Sequence, residues 1–263
     1  MKAENSNIVL RTEGLKVGYR KKSGDLILAS GVNIDIKSGE LVAVIGVNGA
    51  GKSTLLKTLS GIIQSVDGQV FISGNKLSKT EPDKLSKHIS LVLTEQMLSK
   101  NLSVMELVAL GRQPYTNWIG RLTKKDLKKI MHALQLVNIE DIRDKKCHEL
   151  SDGQFQKVLI ARALAQDTPL IILDEPTTHL DLYHKAYVLK LLQQLTKETG
   201  KAILFASHEI NLALQLCDKL LILKDRKALF GKPAELIETD AFKDLFPGHL
   251  IHFDKESSSF KIK

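Results

Sequence analysis

A glycine-rich stretch from residue 46 to residue 54 constrains this chain more than any other feature. It reads Gly46, Val47, Asn48, Gly49, Ala50, Gly51, Lys52, Ser53 and Thr54. This fits the pattern of a glycine, four free positions, Gly-Lys and then Ser or Thr. Glycines leave room for a polyphosphate to approach backbone N–H groups, and Lys52 would reach its terminal phosphates. The sequence therefore predicts a phosphate-binding loop, with the Ser53 hydroxyl as a ligand of Mg²⁺.

The segments on either side of this loop have the patterns of a strand and a helix. Residues 41–45 form an unbroken apolar run, as expected for a strand that is buried on both faces. Leu55, Leu56 and Leu59 have helical spacing. A helix is therefore expected to begin at the loop and to direct its positive end toward bound phosphate. A merely flexible glycine-rich loop is the alternative, and the strand and helix argue against it.

Two adjacent carboxylates follow a second buried strand. Residues 170–173 are apolar, and Asp174 and Glu175 come directly after them. Such a strand would carry both carboxylates to the sheet edge beside the bound phosphates. Asp174 would then hold Mg²⁺ together with Ser53, and Glu175 would polarise the attacking water as a general base. The alternative is a strand end that only turns the chain.

The remaining hydrophobic patterns predict an α/β fold with an inserted helical segment. Strands are expected at 8–19 and over the alternating residues 32–36, which would form an antiparallel region before the loop. From residue 103 to residue 166 the chain reads almost entirely as helix, with Thr123 and Ser151 as helix caps. The predicted fold is a P-loop NTPase core of mostly parallel sheet with an antiparallel β subdomain and an inserted helical subdomain.

These patterns also suggest a division of the chain. We expect one domain over residues 1–240, with its core at 1–95 and 167–240 and the helical insertion at about 96–166. The weakly patterned residues 241–263 are expected to form a C-terminal extension.

Composition narrows the class of protein. With 43% hydrophobic residues and no apolar run near 18 residues, the chain is expected to be globular, without a membrane span or a secretory signal. Two distant cysteines, Cys147 and Cys217, suggest reduced thiols in a cytosolic protein. The net charge of +8 leaves three interpretations open: a solvated surface, an anionic membrane nearby, or nucleic acid. No aromatic stacking platform is interleaved with the lysines.

Short motifs occur in a fixed order around these segments. They are Tyr19 at the end of the first strand, the phosphate loop, Gln96 before the helical segment, Ser151 to Gln154, residues 177–181, and His208 after the next core strand. In this order the chain resembles the ATP-binding-cassette (ABC) family of ATPases from about residue 8 to residue 240. The resemblance implies that Tyr19 stacks on adenine, that Gln96 contacts Mg²⁺ and the attacking water, and that His208 contacts the γ-phosphate.

The resemblance also implies a second subunit. In this family the signature motif, here Ser151, Asp152, Gly153 and Gln154, binds the ATP held by the partner, and Asp181 would help join the two subunits. Asp152 departs from the family, which commonly has a glycine there. A carboxylate is favourable at a helix N-terminus but unfavourable near a triphosphate, so its side chain is expected to point away.

Among such ATPases, the chain is similar to the energy-supplying subunits of importers. Residues 104–115 resemble the corresponding stretch of iron-siderophore, haem and cobalamin uptake ATPases. The expected partners are an identical second subunit, an integral membrane permease and, indirectly, a substrate-binding protein. The subunit itself is expected to be peripheral, at the cytoplasmic face of the inner membrane. No nucleic acid partner is expected. The alternatives are another cargo such as metal ions, a soluble ATPase that acts on nucleic acid, and a binding module that does not hydrolyse ATP.

Overall fold

A mixed β-sheet forms the centre of the molecule. The structure, a computed structural model, describes residues 7–22, 24–93, 101–243, 245–246 and 250–263. Within these residues the strands are β1 Ile8–Tyr19, β2 Leu26–Val32, β3 Asp35–Lys37, β4 Leu41–Ile45, β5 Asp67–Ile72, β6 Asn75–Lys76, β7 Ile89–Val92, β8 Leu170–Asp174, β9 Ala202–Ala206, β10 Lys219–Lys224 and β11 Lys227–Gly231. A separate hairpin is formed by β12 Ile251–Asp254 and β13 Ser259–Ile262.

Helices pack around the sheet. They are α1 Lys52–Leu59, α2 Pro82–Leu85, α3 Val104–Ala109, α4 Lys124–Leu136, α5 Asp152–Ala165, α6 Leu182–Thr199, α7 Ile210–Leu216 and α8 Pro233–Glu238. Short 3-10 helices cover Leu77–Lys79, Leu110–Tyr115, Glu140–Ile142 and Cys147–Glu149. None of the helices in the described ranges is both long and apolar enough to cross a membrane.

Five strands in the order β10-β4-β9-β8-β7 form a parallel half of the sheet. All five residues of β4, β8 and β9 are buried, which explains their continuous apolar sequences. In β4 the side chains alternate between two cores: Leu41, Ala43 and Ile45 face the helical segment, and Val42 and Val44 face α1 and the antiparallel strands. Because these strands are parallel, the segments that follow β4, β8 and β9 emerge at one edge.

The other half of the sheet is mainly antiparallel and departs from the sequence prediction at one point. The strand expected over 32–36 is interrupted: Val32 ends β2, and Asp35–Lys37 form β3. The interruption arises because the chain switches from one part of β1 to another as its pairing partner. Residues up to Val32 pair with the second half of β1, and β3 pairs with its first half. The Thr12 hydroxyl donates to the Val32 carbonyl and accepts from the Ile34 N–H, so it satisfies the backbone at the crossing.

The segment from residue 101 to residue 166 contains α3, α4 and α5 with short 3-10 turns. Each α-helix begins with a capping box, including the expected caps at Thr123 and Ser151 and a further one at Ser103. Their apolar faces meet in a core to which Leu107 and Leu134 contribute. The boundary proposed at residue 96 lies outside the described residues, and the division into domains stays a prediction.

The described C-terminal residues contain a hairpin and an aromatic cluster that their sequence pattern did not indicate. Phe253 in β12 stacks on Phe242 with ring centroids 4.7 Å apart, and Phe260 in β13 contacts both rings edge-on. The Phe260 N–H also donates to the Asn211 side chain at 3.0 Å, which ties the hairpin to α7. Two four-residue strands are too short to show a clear alternation in the sequence, so the aromatic cluster could not be recognised there.

Asp167 connects the helical segment to the sheet. Its carboxylate pairs with Lys129 of α4 at 2.8 Å and with Lys201, directly before β9, at 2.9 Å. Burial alone would raise the pKa of Asp167, but the hydrogen bonds from the two lysines outweigh it and lower the pKa to about 2.

A pH-dependent contribution to stability follows from this lowered pKa. The contribution of Asp167 is complete above its unfolded-state pKa near 3.8 and is lost as pH falls toward about 2. We expect Asp167→Asn to lower the urea midpoint clearly at pH near 6, and the gap to the parent protein to narrow as pH drops through this window. A midpoint difference that stays constant with pH would contradict this assignment.

Candidate nucleotide-binding site

An open cavity of about 360 Å³ lies at the edge where the parallel strands end. It is lined by Tyr19, Leu28, Asn48, Gly49, Gly51, Lys52, Ser53, Thr54, Glu175 and His208. The structure thus brings together most of the phosphate loop with residues that follow β8 and β9, which are far apart in the sequence. The strand order β4-β9-β8 is the reason for this convergence.

Two glycines are required by the shape of the loop. Gly51 has a φ of +96°, and a Cβ atom there would lie 2.9 Å from the Leu28 Cβ. At Gly46 a Cβ atom would lie 2.6 Å from the backbone oxygen of Leu223 in β10. Gly51 is also the N-cap of α1 and supplies no side-chain cap. The first N–H groups of α1 therefore remain available to an anion in the cavity.

Lys52 is folded over the loop. Its ammonium group is buried and donates to the backbone oxygen of Gly46 at 2.9 Å and to that of Val47 at 3.4 Å. Burial lowers the pKa of Lys52, and the negative charges of Glu175 and Asp174 act in the opposite direction. A cation held beside the loop in this way is suited to bind phosphate oxygens.

Ser53 and Asp174 place two oxygen atoms side by side. The Ser53 hydroxyl donates to Asp174 Oδ1 at 3.0 Å, and Asp174 is only 6% exposed at the end of β8. Burial raises the pKa of Asp174, whereas the hydrogen bond from Ser53 lowers it. A hydroxyl and a desolvated carboxylate are donors that suit a hard divalent cation, so this pair fits Mg²⁺. The third expected ligand, Gln96, lies outside the described residues.

Glu175 and His208 contact each other across the cavity. His208 Nε2 lies 2.6 Å from Glu175 Oε1, and the Thr178 hydroxyl donates to Glu175 Oε2 at 3.3 Å. Glu175 has a φ of +50°, an unusual value for a residue with a side chain. Strained backbone of this kind is often kept where a side chain must be aimed at a reacting group. The arrangement places a carboxylate and an imidazole ring side by side at the cavity.

Tyr19 lies at the rim of the cavity. It is the last residue of β1, is 43% exposed, and its hydroxyl lies 3.2 Å from Thr54 Oγ1. An exposed ring beside the loop could accept a flat ligand on one face. The expected stacking on adenine stays a prediction.

The signature residues do not line this cavity. Ser151 is the N-cap of α5, where its hydroxyl accepts from the Gln154 N–H at 3.3 Å and Gln154 Oε1 accepts from the Ser151 N–H at 3.1 Å. Asp152 follows in the first turn of α5 and is exposed. These residues occupy an exposed helix start that could contact a ligand held elsewhere, so their expected role stays a prediction.

His184 is a residue of this region that the sequence did not reveal. Its backbone N–H donates to Asp181 Oδ1 at 2.8 Å, and its Nδ1 lies 2.9 Å from both carboxylate oxygens. A Cβ atom added to Gly153 would lie 3.0 Å from the His184 ring. The Asp181 carboxylate therefore caps α6 and holds this ring against the signature helix. Sequence spacing gives no sign of this contact, because it joins the start of α5 to a different helix, α6.

Comparisons with known proteins agree with this geometry. A sequence model of the ABC transporter family matches residues 29–178. An uncharacterized ABC transporter ATP-binding protein of Methanocaldococcus jannaschii is 39% identical over 97% of this chain and 87% of its own length. The petrobactin import ATP-binding protein YclP of Bacillus subtilis is 37% identical over 86% of this chain and 89% of its own length.

Solved structures agree as well. A dimeric ATP-binding cassette in a post-hydrolysis state, bound to ADP and phosphate, superposes with a TM-score of 0.72 at 28% identity, covering 85% of this chain and 98% of that structure. The family match spans more than half of the chain, and the similarity to the relatives extends over most of its length. The chain therefore belongs to the ABC transporter family and is an ATP-hydrolysing subunit that drives import.

Proposed function

We propose that this ATPase powers the uptake of an iron-siderophore complex, or of a similar chelate such as haem or cobalamin, through a membrane permease. The observation that carries the ATPase role is the convergence of Lys52, Glu175 and His208 on one cavity. The cargo class is supported by the similarity to a petrobactin import protein and by the pattern of residues 104–115. The subunit would attach to the permease at the cytoplasmic face of the membrane, and a substrate-binding protein would deliver the cargo.

The residues of the cavity would divide the work of hydrolysis. Tyr19 would hold the adenine, and Lys52 with the N–H groups at the start of α1 would hold the phosphates. Ser53, Asp174 and Gln96 would hold Mg²⁺, which supplies charge neutralisation on the β- and γ-phosphates when it is bound.

The reacting water would be positioned by two side chains. Glu175 would orient it and accept its proton, because the carboxylate is already fixed by Thr178 and lies beside His208. His208 would contact the γ-phosphate through its ring. The hydrogen bond between these two residues would keep both side chains in position before the nucleotide binds.

A second copy would complete the site. The signature residues lie outside the cavity of their own chain, so Ser151, Gly153 and Gln154 would reach only the nucleotide of a partner. We expect a head-to-tail, two-fold dimer that closes around two ATP molecules and opens after hydrolysis. A similar cassette forms a dimer in its ADP- and phosphate-bound state, which supports this arrangement.

The test of cargo and partner is a transport assay. The chain is co-purified with its membrane partner, reconstituted in vesicles and supplied with ATP and a panel of ferric siderophores, haem, cobalamin and free metal ions. We expect one of the chelates to accelerate ATP turnover and to accumulate in the vesicles. If free metal ions alone accelerate ATP turnover, the cargo is a metal ion and not a chelate. Stimulation by duplex DNA, with binding that falls steeply with salt, would favour the nucleic acid alternative.

The contact between Gly153 and His184 leads to a prediction about two substitutions. Gly153→Ala is expected to reduce ATP turnover roughly tenfold, since the new methyl group would displace the ring and shift the start of α5. His184→Ala in the same chain removes the obstacle, so turnover should return to near that of His184→Ala alone. Steady-state phosphate release at saturating ATP measures both.

The matched control for this pair is His132→Ala, which removes an exposed histidine from α4. It should not rescue Gly153→Ala. If Gly153→Ala is equally harmful with and without His184, the glycine is needed for another contact, such as the partner's nucleotide.

A further inference from the structure

An exposed turn before α4 displays two large apolar side chains. Trp118 is 94% exposed and Ile119 is 69% exposed. They occupy the two central positions of a turn closed by a hydrogen bond from the Gly120 N–H to the Asn117 backbone oxygen at 2.8 Å. The Asn117 side chain also accepts from the Arg121 N–H at 3.0 Å. Central turn positions generally hold small or polar residues, so a fixed turn that presents tryptophan and isoleucine indicates an interaction surface.

Cationic side chains follow directly after this turn. Arg121, Lys124, Lys125 and Lys128 are all exposed. Lys124 and Lys128 are one helical turn apart and therefore share a face of α4. The only acidic residue in the sequence from 121 to 129 is Asp126, which is buried against the Arg112 guanidinium. Trp118 and Ile119 are thus bordered by four positive charges. Asp126 does not offset these charges, because its carboxylate is paired with Arg112.

We propose that this surface, residues 117–128, binds anionic lipid at the membrane interface. Trp118 and Ile119 would enter the interfacial layer, where tryptophan is enriched, and the four cations would bind headgroup phosphates. The charge favours lipid over the permease as the contact. The cytoplasmic loops of membrane proteins carry an excess of lysine and arginine, which would repel a basic surface. The inference rests on the proposed function in one respect, that the subunit works next to a membrane.

The chain offers a direct reporter for this contact, because Trp118 is its only tryptophan. The purified protein is mixed with vesicles of phosphatidylglycerol or of phosphatidylcholine. With phosphatidylglycerol we expect the Trp118 emission to shift to shorter wavelength and to become protected from acrylamide. Phosphatidylcholine should produce neither change. Binding measured by co-sedimentation should weaken strongly as salt rises from about 0.05 M to about 0.5 M.

Matched variants separate this surface from a general effect of charge or hydrophobicity. Ile119→Ala is paired with Ile262→Ala, since Ile262 is 77% exposed on β13. Lys124→Gln/Lys125→Gln is paired with Lys190→Gln/Lys227→Gln, which removes the same charge from exposed positions on α6 and β11. We expect Lys124→Gln/Lys125→Gln to lower vesicle affinity roughly tenfold or more, and Ile119→Ala to lower it clearly. The control variants should change affinity less than about twofold.

Three results would overturn the lipid assignment. They are the absence of binding to phosphatidylglycerol, an equal loss of affinity in the turn and control variants, and a Trp118 shift that requires the permease and not lipid alone. The last result would assign the turn to a protein surface. ATP turnover of the same preparations is measured in parallel. Turnover without lipid binding contradicts only this inference, and lipid binding without turnover contradicts only the proposed function.

Discussion

Replacing Glu175 with glutamine is expected to slow ATP turnover by about 10²- to 10⁴-fold, the usual range for loss of a general base. Glutamine keeps the shape of the side chain and can still contact His208 and Thr178, but it cannot accept a proton from water. The affinity for ATP should therefore change little. Phosphate release at saturating ATP and calorimetric titration with ATP measure the two quantities.

The same variant should accumulate an ATP-dependent dimer. If opening requires hydrolysis, a subunit that binds but does not hydrolyse ATP remains closed on its partner. Sedimentation velocity with and without ATP and Mg²⁺ would detect the dimer. Glu238→Gln makes the same chemical change at an exposed position of α8 and should behave like the parent protein. A monomer at saturating ATP, or unchanged turnover, would remove Glu175 from its assigned role.

Asp126→Asn is expected to lower the free energy of unfolding by about 3 kcal/mol, because it breaks a buried ion pair from one side. Arg112 Nε donates to Asp126 Oδ1 at 2.9 Å, and both side chains are 5% exposed. Hydrogen bonds from Thr123, with the charge of Arg112, hold the pKa of Asp126 below its usual value. Without the carboxylate, the guanidinium would retain its hydrogen bond to the Ala165 backbone oxygen at 2.8 Å but no counter-charge in this contact.

Urea unfolding of the parent and variant proteins would measure this loss. The matched control is Asp144→Asn, where the carboxylate is 88% exposed and pairs with Arg143 at 3.4 Å. Exposed pairs contribute between about 0 and 1 kcal/mol, so this control should leave the midpoint nearly unchanged. Similar midpoints for Asp126→Asn and the parent protein would show that solvent reaches Arg112 more readily than its burial indicates.

The buried ion pair between Arg112 and Asp126 also changes how residues 104–115 are interpreted. Its resemblance to chelate importers includes Arg112, whose side chain joins α4 to the end of α5 and lies 3.9 Å from the centre of the Tyr115 ring. At least this part of the resemblance therefore has a structural explanation. The transport assay, and not the motif, must decide the cargo.

The phosphate loop could be predicted because its information is local. A buried strand, glycines at fixed positions and a helix start are neighbours in the chain, and β4 and α1 lie where their apolar patterns place them. The contact between Glu175 and His208 depends instead on which strands are neighbours in the sheet. Sequence periodicity identifies strands but not their order, so only the resemblance to a family anticipated that these residues act together.

Contacts between side chains of different elements were the least predictable. The His184 ring lies against Gly153 because α6 passes the start of α5, and no spacing rule encodes that approach. The aromatic cluster of the C-terminal hairpin was missed for a similar reason, since its phenylalanines belong to three separate segments. Contacts between residues that are neighbours along the chain can be predicted from the sequence pattern. Contacts between distant segments can be identified only once the fold is known.

The self-contacts of Lys52 have a consequence for the binding of ATP. The ammonium group already holds the backbone oxygens of Gly46 and Val47, so the loop keeps its curvature through its own lysine. An arriving triphosphate exchanges one set of acceptors for another and does not have to order a disordered segment. Nucleotide binding should therefore require little reordering of the loop.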